Sequence, residues 1–231
     1  MCNFILKYWS LYSVLLSGFI FPSLACAADA VANVETTFSC VSWGKPIKDT
    51  LYVRSDGEMI PLRVHSMRRS SEVDYHGSNP IVFFRKGKDG QEQDAYQPVA
   101  QVQLDGSIKK PLFFFAGEGG NYKIVTLEDS FDKYPTGSYR FYNFTERDLI
   151  AKMGDEILQL PPKKTAYLPQ PFTGTIEYPI AFVVREPGGI RPLYTNMWTH
   201  VGRFRYLIFV SDSDSRDTGS MKFRILSDYA K

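Results

Sequence analysis

Asn79-Pro80-Ile81-Val82-Phe83 returns later in the chain as Tyr178-Pro179-Ile180-Ala181-Phe182, and the motifs around it return in the same order. Thr37-Phe38-Ser39-Cys40-Val41-Ser42-Trp43 aligns with Ser138-Tyr139-Arg140-Phe141-Tyr142-Asn143-Phe144, which brings large apolar residues together at 38/139, 41/142 and 43/144. Leu51 then meets Leu149, Gly57 and Ile60 fall on Gly154 and Ile157, and Leu112-Phe113-Phe114 falls on Leu207-Ile208-Phe209. Lys123, Leu127 and Asp129 meet Lys222, Leu226 and Asp228. The offsets drift by a few residues between stations, as loop insertions and deletions between fixed strands would make them do. The chain therefore reads as an internal duplication.

Each copy has the period of strands. Tyr139–Phe144, Tyr96–Leu104 and Phe204–Val210 are rich in aromatic and β-branched residues with partial alternation. Asp56-Gly57, Lys88-Asp89-Gly90, Asp105-Gly106, Glu118-Gly119-Gly120, Met153-Gly154-Asp155 and Pro187-Gly188-Gly189 supply turns at short intervals. Such punctuation predicts an all-β fold of two tandem immunoglobulin-like sandwiches, about seven strands each. A short helical piece is expected only near Glu146–Ile150. The boundary is drawn at Tyr134-Pro135-Thr136-Gly137, giving domains 28–134 and 135–231, with a groove between them as the default ligand site.

The segment before the first copy sets the expected compartment. Tyr8–Phe21 is almost continuously apolar, with Lys7 before it and Ala25-Cys26-Ala27 after it, which reads as a signal peptide over 1–27 and an extracytoplasmic (periplasmic or secreted) protein. The rival readings, an uncleaved anchor or lipid attachment at Cys26, are the only expected membrane links. Cleavage after Ala27 leaves Cys40 as the sole cysteine, so no intramolecular disulfide can form and stability must come from packed cores. Cleavage also removes Lys7 from the 27 Lys and Arg, and the remaining 26 nearly balance 25 Asp and Glu. That balance argues against a nucleic-acid partner. The local cluster Arg63, Arg68, Arg69 reads as a solvated face.

No catalytic or metal pattern of comparable quality is present. His65, His76 and His200 lie outside any zinc spacing and read as ordinary strand or turn residues. Cys40 aligns with Phe141, which marks it as space-filling rather than nucleophilic. Asp212, Asp214 and Asp217 alternate like calcium donors but lack the glycine and terminal glutamate of an EF-hand. No G-x-S-x-G elbow and no identifiable carboxylate pair occurs. The expectation is therefore no catalytic residue, no metal and no cofactor.

Aromatic residues make up 15% of the chain, and Trp43, Tyr194 and Trp198 are the sugar-stacking candidates. Phe113-Phe114-Phe115 cannot all face one side of a sheet. Either that strand is covered on both faces or part of it is a contact surface. Phe113, Phe115, Tyr194 and Trp198 are accordingly the candidate binding surface, for a protein or polymer of the cell envelope. The organisation resembles the broad class of bacterial extracytoplasmic immunoglobulin-like modules in tandem. In outline it is similar to the periplasmic chaperones of pilus assembly, a resemblance that implies subunit capture by strand addition. The residues favour a non-catalytic binding module, with an assembly chaperone or a glycan- or peptide-processing enzyme as alternatives.

Overall fold

A computed structural model describes residues 32–66, 68–87, 96–117, 120–213 and 220–229. The expected signal peptide, Cys26, and Asp214 and Asp217 of the acidic loop lie outside the described residues. The first copy supplies β1 (Ala32–Ser42), β2 (Leu51–Ser55), β3 (Glu58–Leu62), β4 (Val73–Asn79), β5 (Ile81–Lys86), β6 (Tyr96–Val102), β7 (Pro111–Ala116) and β8 (Lys123–Glu128). The second supplies β9 (Tyr139–Asn143), β10 (Leu149–Met153), β11 (Glu156–Leu160), β12 (Thr165–Leu168), β13 (Thr175–Glu186), β14 (Gly189–Val201), β15 (Arg205–Asp212) and β16 (Met221–Asp228). Among the described residues each copy thus has eight strands rather than seven. The helical piece expected near Glu146 is a run of bends leading into β10, because Thr145 and Asn143 capture the local backbone groups that a helix would use.

The duplication is visible in the pairing. The first copy forms sheets ordered β4-β1-β7-β8 and β3-β2-β5-β6, and the second forms β12-β9-β15-β16 and β11-β10-β13-β14. Adding eight to each strand number of the first copy gives the second, and among the described residues no sheet mixes the copies. Register repeats as well. The parallel pair β1–β7 sets Cys40 against Phe113, and β9–β15 sets Phe141 against Ile208, their aligned counterparts. Leu112 faces Leu127 and Leu207 faces Leu226.

A bulge repeats too. Val99 is the unpaired residue beside Pro98 in β6, and Leu193 the one beside Pro192 in β14. Proline lacks an N–H to give the ladder, so it is tolerated at a bulge on an edge strand. One station needs correction. Leu51 pairs with Leu62 and Leu149 with Leu160, so Ile60 corresponds to Leu158, and Ile157 is 63% exposed.

The four sheets stack as outer, inner, inner and outer layers, and the residues from Ala32 onward form one compact unit. Phe38, Phe83, Phe113 and Phe115 fill the first sandwich, and Phe141, Phe182, Ile208 and Val210 fill the second. Between the inner sheets Val41, Leu112, Phe114 and Leu127 meet Leu207, Phe209 and Leu226. The strands β7 and β15 are therefore covered on both faces, which accounts for their unbroken apolar runs. Trp43 and its counterpart Phe144 pack with tilted rings, centroids 4.9 Å apart, at the edge of this seam, and Arg224 lies over the Trp43 ring while donating to the carbonyl of Ser42.

At one end the seam is closed by charge. Asp129, 6% exposed in its side chain, accepts from Arg69 of the first copy and from Arg140 and Arg205 of the second. Arg140 also donates to the carbonyl of Glu128, and Arg205 to that of Asp129. The linker packs beneath the same guanidinia, with Phe131 under Arg205 and Tyr134 under Arg140. Arg69 is thus a structural residue, unlike the exposed Arg63 and Arg68 with which it clusters in sequence.

Candidate binding groove

A duplicated chain carries its own comparison: what both copies keep belongs to the fold, and what one copy alone has built points elsewhere. The clearest departure concerns equivalent segments, 76–79 and 175–178. In the first copy they end β4 and pair with Ala32–Glu35 of β1. In the second they begin β13 and pair with Trp198–Val201 of β14. Local sequence explains the switch. Thr175-Ile176-Glu177 consists largely of β-formers that continue the hairpin, whereas His76-Gly77-Ser78 has a glycine at its centre that lets β4 pass close over the end of β2.

A Cβ at Gly77 would come within 2.7 Å of the Tyr75 hydroxyl and 3.1 Å of the Arg54 carbonyl. The Tyr75 hydroxyl donates to the Ser78 carbonyl at 2.8 Å. His76 N–H donates to Ser55 Oγ, and Asp56 N–H donates to the His76 carbonyl.

The β1–β4 arm so formed is one wall of a concavity of about 640 Å³. Val82 and Phe84 supply its apolar surface, and Arg54, Asp56, His76 and Glu35 its polar rim. Glu35 Oε1 stands 3.2 Å from His76 Nε2 and Asp56 Oδ2 stands 3.3 Å from Nδ1. The imidazole is half exposed and both carboxylates are largely in water, so these contacts are screened and exchangeable. Nucleophiles beside them are occupied. Ser55 is buried and accepts from His76 N–H, and burial raises the Tyr75 phenol above its ordinary value. Among the described residues no group of three or more His, Cys, Asp or Glu side chains is arranged to share a metal ion. What the groove offers is hydrogen-bonding and charged groups beside an apolar surface, the makings of recognition.

The residues singled out from sequence are distributed differently. Phe113 and Phe115 are 0% and 1% exposed in the first core and cannot form a contact surface; the alternative, a strand covered on both faces, is the one the fold adopts. The groove expected between the copies is the filled aromatic seam. Trp43 belongs to that seam. Tyr194 and Trp198 do come together on β14, where Trp198 Nε1–H donates to the Tyr194 hydroxyl at 3.1 Å and Asn196 donates to the same oxygen at 2.9 Å. Both rings are half-buried against Phe182 and Phe223, so they line the side of the second sandwich.

Cys40 is fully buried beside Ser70, and burial pushes its thiol far up, consistent with a space-filling residue. His65 lies 3.3 Å from an Arg68 nitrogen; desolvation, then Arg68 and Arg63, lower its pKa. His76 was missed as a groove residue, and the available signal was the contrast of His76-Gly77-Ser78 with Thr175-Ile176-Glu177. No protein-family model matches the chain, and no curated protein matches it.

Proposed function

We propose that the chain is a non-catalytic, extracytoplasmic binding protein of the cell envelope, two immunoglobulin-like sandwiches locked into one body, that holds a protein or polymer segment in the groove beside the β1–β4 arm. The observation that carries this reading is that the arm is built in one copy only, at the cost of the hairpin pairing that the other copy keeps. The groove volume is in the range of ligand sites, and its open mixed surface suits a chain passing across it better than an enclosed small molecule. The immunoglobulin-like description rests on two packed layers of mostly antiparallel strands and on domain size, with eight strands per copy among the described residues.

One feature favours a second reading, an assembly chaperone. The strand β4 occupies one edge of β1 along residues 32–38, while β7 joins the other edge only from Ser39. An extended segment could add there as a strand.

The test is a screen of the purified mature chain against glycan arrays and immobilised envelope extract, alongside Phe84→Asp and Glu35→Arg. Binding lost at least tenfold in both variants, with unchanged thermal stability, is the expected outcome. A hit that both variants retain at wild-type strength would remove the groove from the reading.

A further inference from the structure

The second copy contains a buried polar cluster that neither the seam nor the groove uses. His200 is 0% exposed, its Nδ1 sharing a 2.8 Å hydrogen bond with the Tyr139 hydroxyl, while its buried Nε2 makes no well-formed hydrogen bond and has the Phe172 backbone as its polar neighbour. Tyr178, 2% exposed, has its hydroxyl beside that of Tyr139 without a well-formed hydrogen bond. Phe172 covers both, its ring centroid 4.5 Å from that of Tyr178 and 5.5 Å from that of His200. The first copy has Phe38, Asn79 and Pro111 where the second has Tyr139, Tyr178 and Tyr206, so the cluster is specific to the second copy. His200 itself sits on the stretch of β14 beyond Asn196, the counterpart of Val102 where β6 ends.

What closes this end is slight. Gly202 N–H donates to the Gly174 carbonyl at 2.7 Å, and a Cβ at Gly202 would lie 3.1 Å from that oxygen, so the two loops touch backbone to backbone. Val201 is tied through the Tyr206 hydroxyl. A concavity of about 620 Å³ lies against the same loops, lined by Phe172, Val201 and Arg203 among others. The titratable groups facing His200 are Tyr139 from β9, Tyr178 from β13 and Tyr206 from β15, and the charged residue on the adjoining loop is Arg203, itself a cation. Among the described residues His200 has no ion-pair partner. An imidazolium at this position would be desolvated with no carboxylate beside it and only the Phe172 backbone to receive its second N–H, a state costly enough that the site opens to water instead.

We propose that His200 is a proton-operated latch: taking up a proton releases Phe172 and the loops joined at Gly174 and Gly202, and frees the extended end of the β13–β14 hairpin. Burial lowers the His200 pKa below its ordinary value, outweighing the Phe172 backbone hydrogen bond that favours the charged ring, so in the window beneath about 6.5 the open form binds more protons than the closed one. Opening strengthens as pH falls through that window and levels off once the closed form also takes up the proton.

Amide hydrogen exchange on the full chain between pH 7.5 and 5, corrected for intrinsic rates and paired with NMR titration of the three imidazoles, tests this. The opening constant of residues 170–178 and 196–204 should rise by up to about tenfold per pH unit, the slope of one proton. His200→Gln, which keeps a partner for Tyr139 but cannot titrate there, should flatten the profile. A flat wild-type profile, a slope that survives in His200→Gln, or equal loss of protection in β1 and β7 would each overturn the latch. If His200→Gln does not fold, the wild-type titration still decides: a His200 ring titrating at its ordinary value without local exchange overturns the proposal.

Discussion

Asp129 is the residue on which the joint between the copies turns. Its carboxylate is almost wholly buried, yet it faces three guanidinium groups, and among the described residues only Asp228, 31% exposed, offers a second carboxylate to Arg69 and Arg205. A buried ion pair adds little over a well-packed apolar group, but removing one partner strands the others. Asp129→Ala should therefore lower stability by about 3–5 kcal/mol in urea unfolding. A loss near zero would mean that Arg140 and Arg205 reach water without effort. Such a role was only half legible in the sequence. The pairing of Asp129 with Asp228 marked the position, but Arg69, Arg140 and Arg205 are far apart in the chain and nothing local announced that they converge. Cys40 is the opposite case, because its aligned partner Phe141 already indicated a core position.

At the scale of elements, the duplication itself was legible because buried strands must keep matched side chains at matched registers. The parallel pairs β1–β7 and β9–β15 reproduce the alignment made from sequence. The slip at Ile157 has a physical cause: the turns Asp56-Gly57 and Gly154-Asp155 place glycine at opposite positions, so matching glycines shifts the strands by one residue. A shift of one exchanges core and solvent faces. The two readings of this station are separable by mutation. Ile157→Asp should change stability by no more than about 0.5 kcal/mol, whereas Leu158→Asp, placing a carboxylate against the second core, should cost roughly 3 kcal/mol. Equal effects would undo the corrected register. The partner switch between β4 and β13 was legible only in part: the contrast of His76-Gly77-Ser78 with Thr175-Ile176-Glu177 marks the place, but which neighbour each segment pairs with is fixed by the whole sheet. The long edge strand β14 also carries its own protection. Met197 N–H is capped by Asn196, and the Leu193 carbonyl accepts from Ser220. Bonds of this kind leave fewer free groups for unwanted strand pairing.

For the whole molecule, the question is whether two sandwiches of this size behave as two domains or as one. Domains joined by short linkers usually move relative to one another unless their interface is large and apolar. Here the seam buries Leu112, Phe114, Leu207 and Phe209 almost completely and is capped by a buried charge cluster drawn from both copies. Cutting the chain between Tyr134 and Pro135 would bare that apolar surface on each half. It would also leave Arg140 and Arg205 without Asp129. Each half expressed alone should then bind a hydrophobic dye and self-associate, and mixing the halves should restore a one-to-one complex with little dye binding. Gel filtration with dye fluorescence reads both outcomes. Halves that stay monomeric, dye-free and independently cooperative would show that the seam is dispensable. The groove and the latch would then sit on separable modules instead of on one rigid frame that fixes the distance between them.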